Sequence, residues 1–253
     1  MDDGKSAHLK LNDDKTAALL FPFSSSLKLT ISLPDSITLG SQNIPFSDSA
    51  RNLGFILDSK QSMKKQVIKI CQTAYFELKR ISSIRRFLTE DATKTHVTSY
   101  ILSRLDYCDC LLMGTPNSVI QPLQKIQNFA ARLVLLAPCH QHSTLLEKLQ
   151  WLPISERTKY KVTCMCFSAI NGADPAYLSE LLQVYTPSRT LHSSSNTRML
   201  KIQQYKQRLV AFTPSLALDP TFGIHYKIDT AQPPTSFKAR LKTFLLLHAF
   251  CPN

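Results

Sequence analysis

Residues 61–86 read QSMKKQVIKICQTAYFELKRISSIRR, and the spacing of apolar positions in this stretch decides the fold class. Met63, Val67, Ile70, Cys71, Ala74, Leu78 and Ile81 recur every three or four positions, the period of one face of an α-helix. At about 100° per residue, Lys65, Lys69, Lys79 and Arg80 gather on the opposite face within an arc of about 100°. Arg85 and Arg86 carry the charge past the expected helix end. A solvated surface face ordinarily mixes acids with its cations, and this one does not. Lys64, Lys65, Lys69, Lys79, Arg80, Arg85 and Arg86 are therefore the candidate phosphate contacts.

The charge of the whole chain has the same focus. The 253 residues carry a formal net charge of +12. Residues 1–58 have a net of −2, residues 59–86 a net of +7, residues 87–183 balance, and residues 184–253 again have +7. Clustered cations suit a polyanion, because each phosphate they neutralise releases a condensed counterion. The expected partners are thus RNA, DNA or both, bound without sequence preference.

Upstream of the helix, Lys15 to Phe21, Lys28 to Leu33, Ser36 to Leu39 and Arg51 to Leu57 are β-prone runs. They are separated by Pro22, a serine run, Pro34-Asp35 and a Gly40 to Pro45 loop. Strands this few rarely stand as an independent sheet, and their open edges favour self-association. Downstream, Thr89-Glu90-Asp91 caps a helix expected to reach Leu112, and Gly114 to Asn117 breaks it. Ile120, Leu123, Ile126, Phe129, Ala130 and Leu133 mark the next helix. Others are expected over Thr144–Gln150, Ser155–Ile170, Pro175–Val184 and Ser236–Phe250, the last capped by Ser236. The fold class is mainly α (α+β), with short N-terminal β segments before a helical bundle. Its expected divisions are residues 1–58, 59–185 and 186–253.

Chemistry-bearing motifs are scarce. The sequence has no Walker loop, Gly-x-Ser-x-Gly elbow, Rossmann glycine fingerprint or His-Glu-x-x-His. The cysteine pairs Cys108/Cys110 and Cys164/Cys166 are two apart, which on a helix points them about 160° away from each other. They read as packed thiols rather than metal ligands. Asp2-Asp3 and Asp13-Asp14 lie at a terminus and in a turn-like sequence, where they cannot cage two Mg²⁺ ions. No run approaches the roughly 18 apolar residues of a membrane span, and no apolar leader follows Met1. Seven cysteines in such a chain suit a reducing compartment, nuclear or cytoplasmic, with no membrane partner.

Several ordered blocks add a resemblance. They are Leu9 to Thr16 (LKLNDDKT), Ala50 to Asp58 (ARNLGFILD), Ser103 to Cys108 (SRLDYC), Leu123 to Arg132 (LQKIQNFAAR) and Leu149 to Ile154 (LQWLPI). Pro175 to Leu182 (PAYLSELL), Tyr185 to Arg189 (YTPSR) and Ser236 to Thr243 (SFKARLKT) complete the series. In this order the chain, from about Ala7 to Phe250, resembles the C-terminal part of the reverse transcriptase of LINE-type (non-LTR) retrotransposons.

The resemblance implies an anatomy: the end of a palm, a helical thumb along the template–primer duplex, and a helical C-terminal region. It makes Lys15 the palm lysine that can assist at a triphosphate, and Asn52-Leu53-Gly54 a hairpin like a primer grip. The family's Tyr-x-Asp-Asp strand and its partner aspartate belong upstream of the Leu9 block and are not among these residues. The expectation is therefore a truncated, catalytically inactive piece of an RNA-directed DNA polymerase, with no catalytic residues, no metal site and no cofactor of its own. Mg²⁺ belongs only to the intact parent polymerase. The rival expectations are a structural or protein-interaction module, and part of an active polymerase whose upstream sequence is missing. Residues 211–220 differ from the family, which usually has a tryptophan-containing block there.

Overall fold

In the computed structural model, residues 16–21, 35–39, 42–138, 143–182, 184–185, 199–200 and 233–250 are described. Lys15, the expected strand Lys28 to Leu33, the Asp2-Asp3 and Asp13-Asp14 pairs, Cys139 with its neighbouring histidines, and most of 186–232 lie outside them. The described residues are mostly helical, with small antiparallel sheets of two strands each at the N-terminal end. The chain divides into two compact units, Met1–Gln66 and Val67–Asn253.

The first unit holds two hairpins. β1 (Ser36–Leu39) pairs antiparallel with β2 (Gln42–Pro45), Ile37 opposite Ile44. The segment from Gly40 to Pro45 is therefore not all loop. Ile44, buried against its neighbours, makes the Gln42–Pro45 run a strand by side-chain pairing across the ladder. Ala18 forms an isolated parallel bridge with Phe46. β3 (Ser49–Asn52) pairs with β4 (Phe55–Asp58) in the register Asn52↔Phe55. The continuous run expected over Arg51–Leu57 is thus folded back on itself. Leu53 (φ 48°) and Gly54 (φ 87°) both adopt positive φ, as a two-residue turn matched to strand twist requires.

Polar side chains tie this second hairpin to the segment Ser62–Gln66. Asp58, buried at the end of β4, accepts hydrogen bonds from the Ser62 backbone N–H (2.7 Å) and from its hydroxyl. The buried Gln66 Oε1 accepts the Ile56 N–H at 3.0 Å. That N–H faces away from β3, so the amide satisfies a donor on the outer edge of β4.

Helix α1 (Lys64–Ile84) begins in the first unit and runs into the second. Met63, Val67, Ile70, Ala74, Leu78 and Ile81 are buried and Cys71 is half-buried, so the stripe read from the sequence is the inward face. α2 (Glu90–Val97) starts at Thr89, whose hydroxyl accepts the Ala92 N–H at 3.2 Å. It does not continue to Leu112. A wider π turn covers Thr98–Leu102 and one α turn Ser103–Leu105. Cys108 then takes a left-handed conformation (φ 55°) before a 3₁₀ turn at Asp109–Leu112.

Charge explains the break. Asp106 accepts two hydrogen bonds from the Arg157 guanidinium, at 2.8 and 2.5 Å, and Lys161 Nζ donates to the Asp106 carbonyl and lies 3.1 Å from Asp109. Both cations come from α5 (Ile154–Ile170). Bidentate and charge-assisted bonds to a second element outweigh the few helical hydrogen bonds forgone at the break.

α3 (Asn117–Leu135) is followed by α4 (Ser143–Lys148), α5, and the short α6 (Ala176–Glu180). Gln127 is fully buried on α3, a polar side chain inside the apolar face. Its Nε2 donates to Leu152 O at 2.9 Å, and its Oε1 accepts from Gln124. Gln124 Oε1 in turn accepts the Ile154 N–H at 2.9 Å. The two glutamines thereby hold the turn that feeds α5.

β5 (Val184–Tyr185) and β6 (Met199–Leu200) form a minimal ladder. α7 (Pro234–Phe250) is the last helix and packs on α5 and α4. It starts two residues before Ser236, so Ser236 lies in the first turn rather than at the cap. Proline at the first helical position lacks only an N–H that would be unpaired there anyway.

The core where α5 and α7 meet comprises Leu152, Cys166, Phe167, Phe237, Leu241 and Leu245. The Phe167 and Phe237 rings stack with centroids 3.9 Å apart and 10° between planes. Replacing Phe237 with alanine removes that ring from a packed core, and the expected loss is about 3–5 kcal/mol of unfolding free energy. Urea unfolding followed by far-UV circular dichroism checks it.

Candidate nucleic-acid interface

The period of α1 dictates its outer surface. With the apolar stripe buried, the side chains half a turn away must face solvent. Lys64, Lys65, Lys69, Lys79 and Arg80 are all exposed, as is Arg86 just beyond the helix. Lys64 and Lys65 stand in the first turn, within the first unit, where Lys65 Nζ donates to Ser49 Oγ at 2.9 Å. Lys69, Lys79, Arg80 and Arg86 belong to the second unit. The acid nearest to Lys69, Lys79 and Arg80 in sequence is Glu77, whose carboxylate lies 3.4 Å from the Arg80 guanidinium in an i,i+3 pair. An exposed pair of this kind is worth about 0–1 kcal/mol and leaves Arg80 free to exchange partners.

Arg85 is placed differently from its neighbours, and the expectation that it contacts phosphate is corrected. Its side chain is buried, and its Nε, Nη1 and Nη2 donate to Leu133 O (2.8 Å), Leu88 O (2.7 Å) and Val134 O (2.9 Å). Leu133 and Val134 belong to the last turn of α3, where carbonyls have no helical partner and the helix dipole favours a cation. Leu136 ends that helix with a left-handed φ of 49°. Arg85 is thus the charged cap of α3, and its donors are spent inside the protein.

The exposed face also carries aromatic groups that the distribution of charge does not reveal. Tyr75, Phe76 and Phe87 are 50%, 61% and 73% exposed. The Arg80 guanidinium lies 5.7 Å from the Phe76 ring centroid, and that of Arg86 lies 4.6 Å from that of Phe87. Both distances are in the cation–π range. The signal was present in the spacing: Phe76 is seven residues after Lys69 and four before Arg80, so the same 100° arithmetic puts all three on one face.

Of the other expected site residues, Asn52, Leu53 and Gly54 form the tip of the β3–β4 hairpin, with Leu53 87% exposed. Lys238, Arg240 and Lys242 are exposed along α7. The remaining cations of the basic C-terminal stretch lie outside the described residues.

Among the described cysteines, Cys166 is buried and Cys71, Cys108, Cys110 and Cys164 are half-buried. Cys110 Sγ is 3.7 Å from Met165 Sδ. Burial, reinforced by the neighbouring Asp109 carboxylate, pushes the Cys110 thiol up to about 11, and burial pushes Cys166 up to about 12. Asp109 is also shifted upward by burial, with Lys161 opposing the shift. Among the described residues no group of three His, Cys, Asp or Glu side chains is arranged to hold a metal ion, and no helix is long and apolar enough to cross a membrane. Comparison with protein-family models, curated proteins and solved structures finds no match to this chain.

Two outcomes are expected. Arg85→Ala strips three carbonyls of a charged donor and should cost at least about 2 kcal/mol in urea unfolding, with Arg85→Lys restoring little because an ammonium cannot reproduce the fork. Alkylation near pH 8, resolved by peptide mass spectrometry, should modify Cys110 and Cys166 at least about ten-fold more slowly in the native than in the unfolded protein, since the thiolate is the nucleophile.

Proposed function

We propose that this chain is a nucleic-acid-binding module related to the C-terminal part of a LINE-type reverse transcriptase, and that it contacts phosphates through the outer face of α1. The observation that carries the reading is the file of Lys69, Lys79, Arg80 and Arg86, all exposed, with Glu77 the one acid paired to them among the described residues. An ordered surface of one sign concentrates a polyanion and raises its encounter rate. The ordered sequence blocks from the Leu9 block to the Ser236 block support the family reading. Within that reading, the β3–β4 hairpin corresponds to the primer grip and α1 to the thumb.

Binding on this reading is electrostatic, so it tolerates any sequence and weakens steeply with salt. Catalysis of nucleotide transfer is not assigned to this chain. The Tyr-x-Asp-Asp motif that would hold two Mg²⁺ ions is not among its 253 residues, and two-metal chemistry needs such carboxylates on rigid elements.

Fluorescence anisotropy with labelled RNA and DNA tests the proposal. Shuffled sequences should bind within about three-fold of one another, and the triple variant Lys69→Ala, Lys79→Ala, Arg80→Ala should bind weakly. Each phosphate that a cation neutralises adds roughly 0.7–0.9 to the slope of log K against log salt, so that slope should be shallower by up to about 2–3 in the variant. Wild-type protein that binds neither nucleic acid at low salt would refute the reading.

A further inference from the structure

Ser83 stands where the cations of α1 converge. At about 100° per residue its side chain points within about 60° of Lys69, Lys79 and Arg80, away from the buried stripe. Lys79 is four residues before it and Arg80 three, the spacings that make neighbours on a helix surface. Arg86 comes three residues after it, in the 3₁₀ turn Arg85–Phe87. Ser83, Lys79, Arg80 and Arg86 are all exposed.

The same spacing has a second chemical meaning. A protein kinase with an acidic substrate groove selects its acceptor hydroxyl by cations on the N-terminal side, because a guanidinium pairs with carboxylates in a fixed geometry. Lys79 and Arg80 before Ser83, with the apolar Ile84 directly after it and 46% exposed, suit such a groove. Ser82, Ser83 and Ile84 are exposed in succession, so these last residues of α1 bury no side chain. Ile84 already departs from helical geometry, with φ −103° and ψ 1°. The Ser83 hydroxyl donates to the Arg80 carbonyl at 2.8 Å, within its own helix. Opening Ser82–Ile84 therefore costs a few terminal hydrogen bonds and uncovers no core, as fraying helix ends do.

Resting on the nucleic-acid reading above, we propose that Ser83 is the acceptor for a serine kinase that reads basic residues before its target, and that its phosphorylation releases nucleic acid from this surface. In the transfer, Ser83 Oγ bonds to the γ-phosphorus of ATP as the bond from that phosphorus to the β,γ-bridging oxygen breaks. ADP leaves, and the hydroxyl proton passes to the catalytic aspartate of the kinase. Phosphoserine carries about −1.5 to −2 at neutral pH. Lys69, Lys79, Arg80 and Arg86 together with Glu77 have a net of +3, so modification leaves roughly +1 to +1.5. A phosphate set among Lys79, Arg80 and Arg86 also engages their donors in charge-assisted bonds, which occupies the groups that a nucleic-acid phosphate would use. Duplex and single strand offer the same phosphates, so the release applies to both.

Phosphoserine is placed at position 83 of the full chain by nonsense suppression, and binding is read by anisotropy with a labelled duplex and a single strand of about 20 nucleotides. At about 50 mM salt the phosphorylated protein should bind both at least about ten-fold more weakly, with the slope of log K against log salt shallower by about 1–2. Ser83→Ala should bind as wild type does. In a second arm, the catalytic domain of calcium/calmodulin-dependent protein kinase II, a basophilic kinase, acts with ATP on the native chain, and peptide mass spectrometry locates the phosphate. It should appear at Ser83, persist in Ser82→Ala, vanish in Ser83→Ala and form at least about ten-fold more slowly in Arg80→Ala. If phosphoserine at 83 leaves affinity within about two-fold, or if the kinase leaves Ser83 of the native chain unmodified, the proposal is overturned while the electrostatic reading stands. Loss of binding accompanied by loss of helicity in far-UV circular dichroism overturns it too, because the phosphate would then act by unfolding α1. If the unmodified protein binds neither strand form, both readings fall.

Discussion

The constraint on which this structure depends is the burial of one stripe of α1. Once Val67, Ile70, Ala74, Leu78 and Ile81 face inward, helical geometry leaves no freedom about where Lys69, Lys79 and Arg80 point. Five apolar side chains removed from water contribute far more than the mutual repulsion of solvated lysines costs, since exposed like charges are screened within about 10 Å at ordinary salt. The cation face is thus a consequence of the core, and the core is strong enough to impose it. Arg85 secures the far end, because its three bonds to Leu133, Val134 and Leu88 lock the residues after α1 to the end of α3.

Much of the remaining architecture is held by polar side chains that act at a distance in sequence. Gln127 reaches Leu152 and Gln124 reaches Ile154, which turns the segment before α5 into a fixed joint. Asp106 and Asp109 are clasped by Arg157 and Lys161 from α5, and that clasp accommodates the interruption after Leu105. These groups are partly or wholly out of water. The loss of any one partner would leave another unsatisfied, and the cost of an unsatisfied buried group exceeds the net gain of the bond itself. Polar residues at such positions specify connections that apolar packing alone would leave degenerate.

The same side-chain types therefore have opposite fates. Arg80 and Arg86 stay on the surface over aromatic rings, whereas Arg85, next to Arg86 in sequence, is a structural cap. Guanidinium suits both positions: it remains charged, it forms several bonds in a fixed plane, and it stacks on rings. A lysine at position 85 could not reach three carbonyls in one plane, and a lysine at 80 or 86 would stack less well.

The sequence by itself determined the helical class, the inward stripe and outward cations of α1, the start of α2 at Thr89 and the extents of α3 and α5 to within a few residues. Each of these follows from a local period or cap, and local rules need no knowledge of distant partners. Only the tertiary structure decided that Gln42–Pro45 is a strand, that Leu53-Gly54 folds the Arg51–Leu57 run back on itself, and that α2 breaks before Cys108. It also decided that Arg85 belongs to α3, that Gln127 is core, and that Phe76 and Phe87 remain in solvent. Those outcomes turn on partners far along the chain, Arg157 for Asp106 and Leu133 for Arg85 among them. A side chain's own type cannot reveal whether its charge or ring will be spent on water or on a carbonyl that folding brings within about 3 Å.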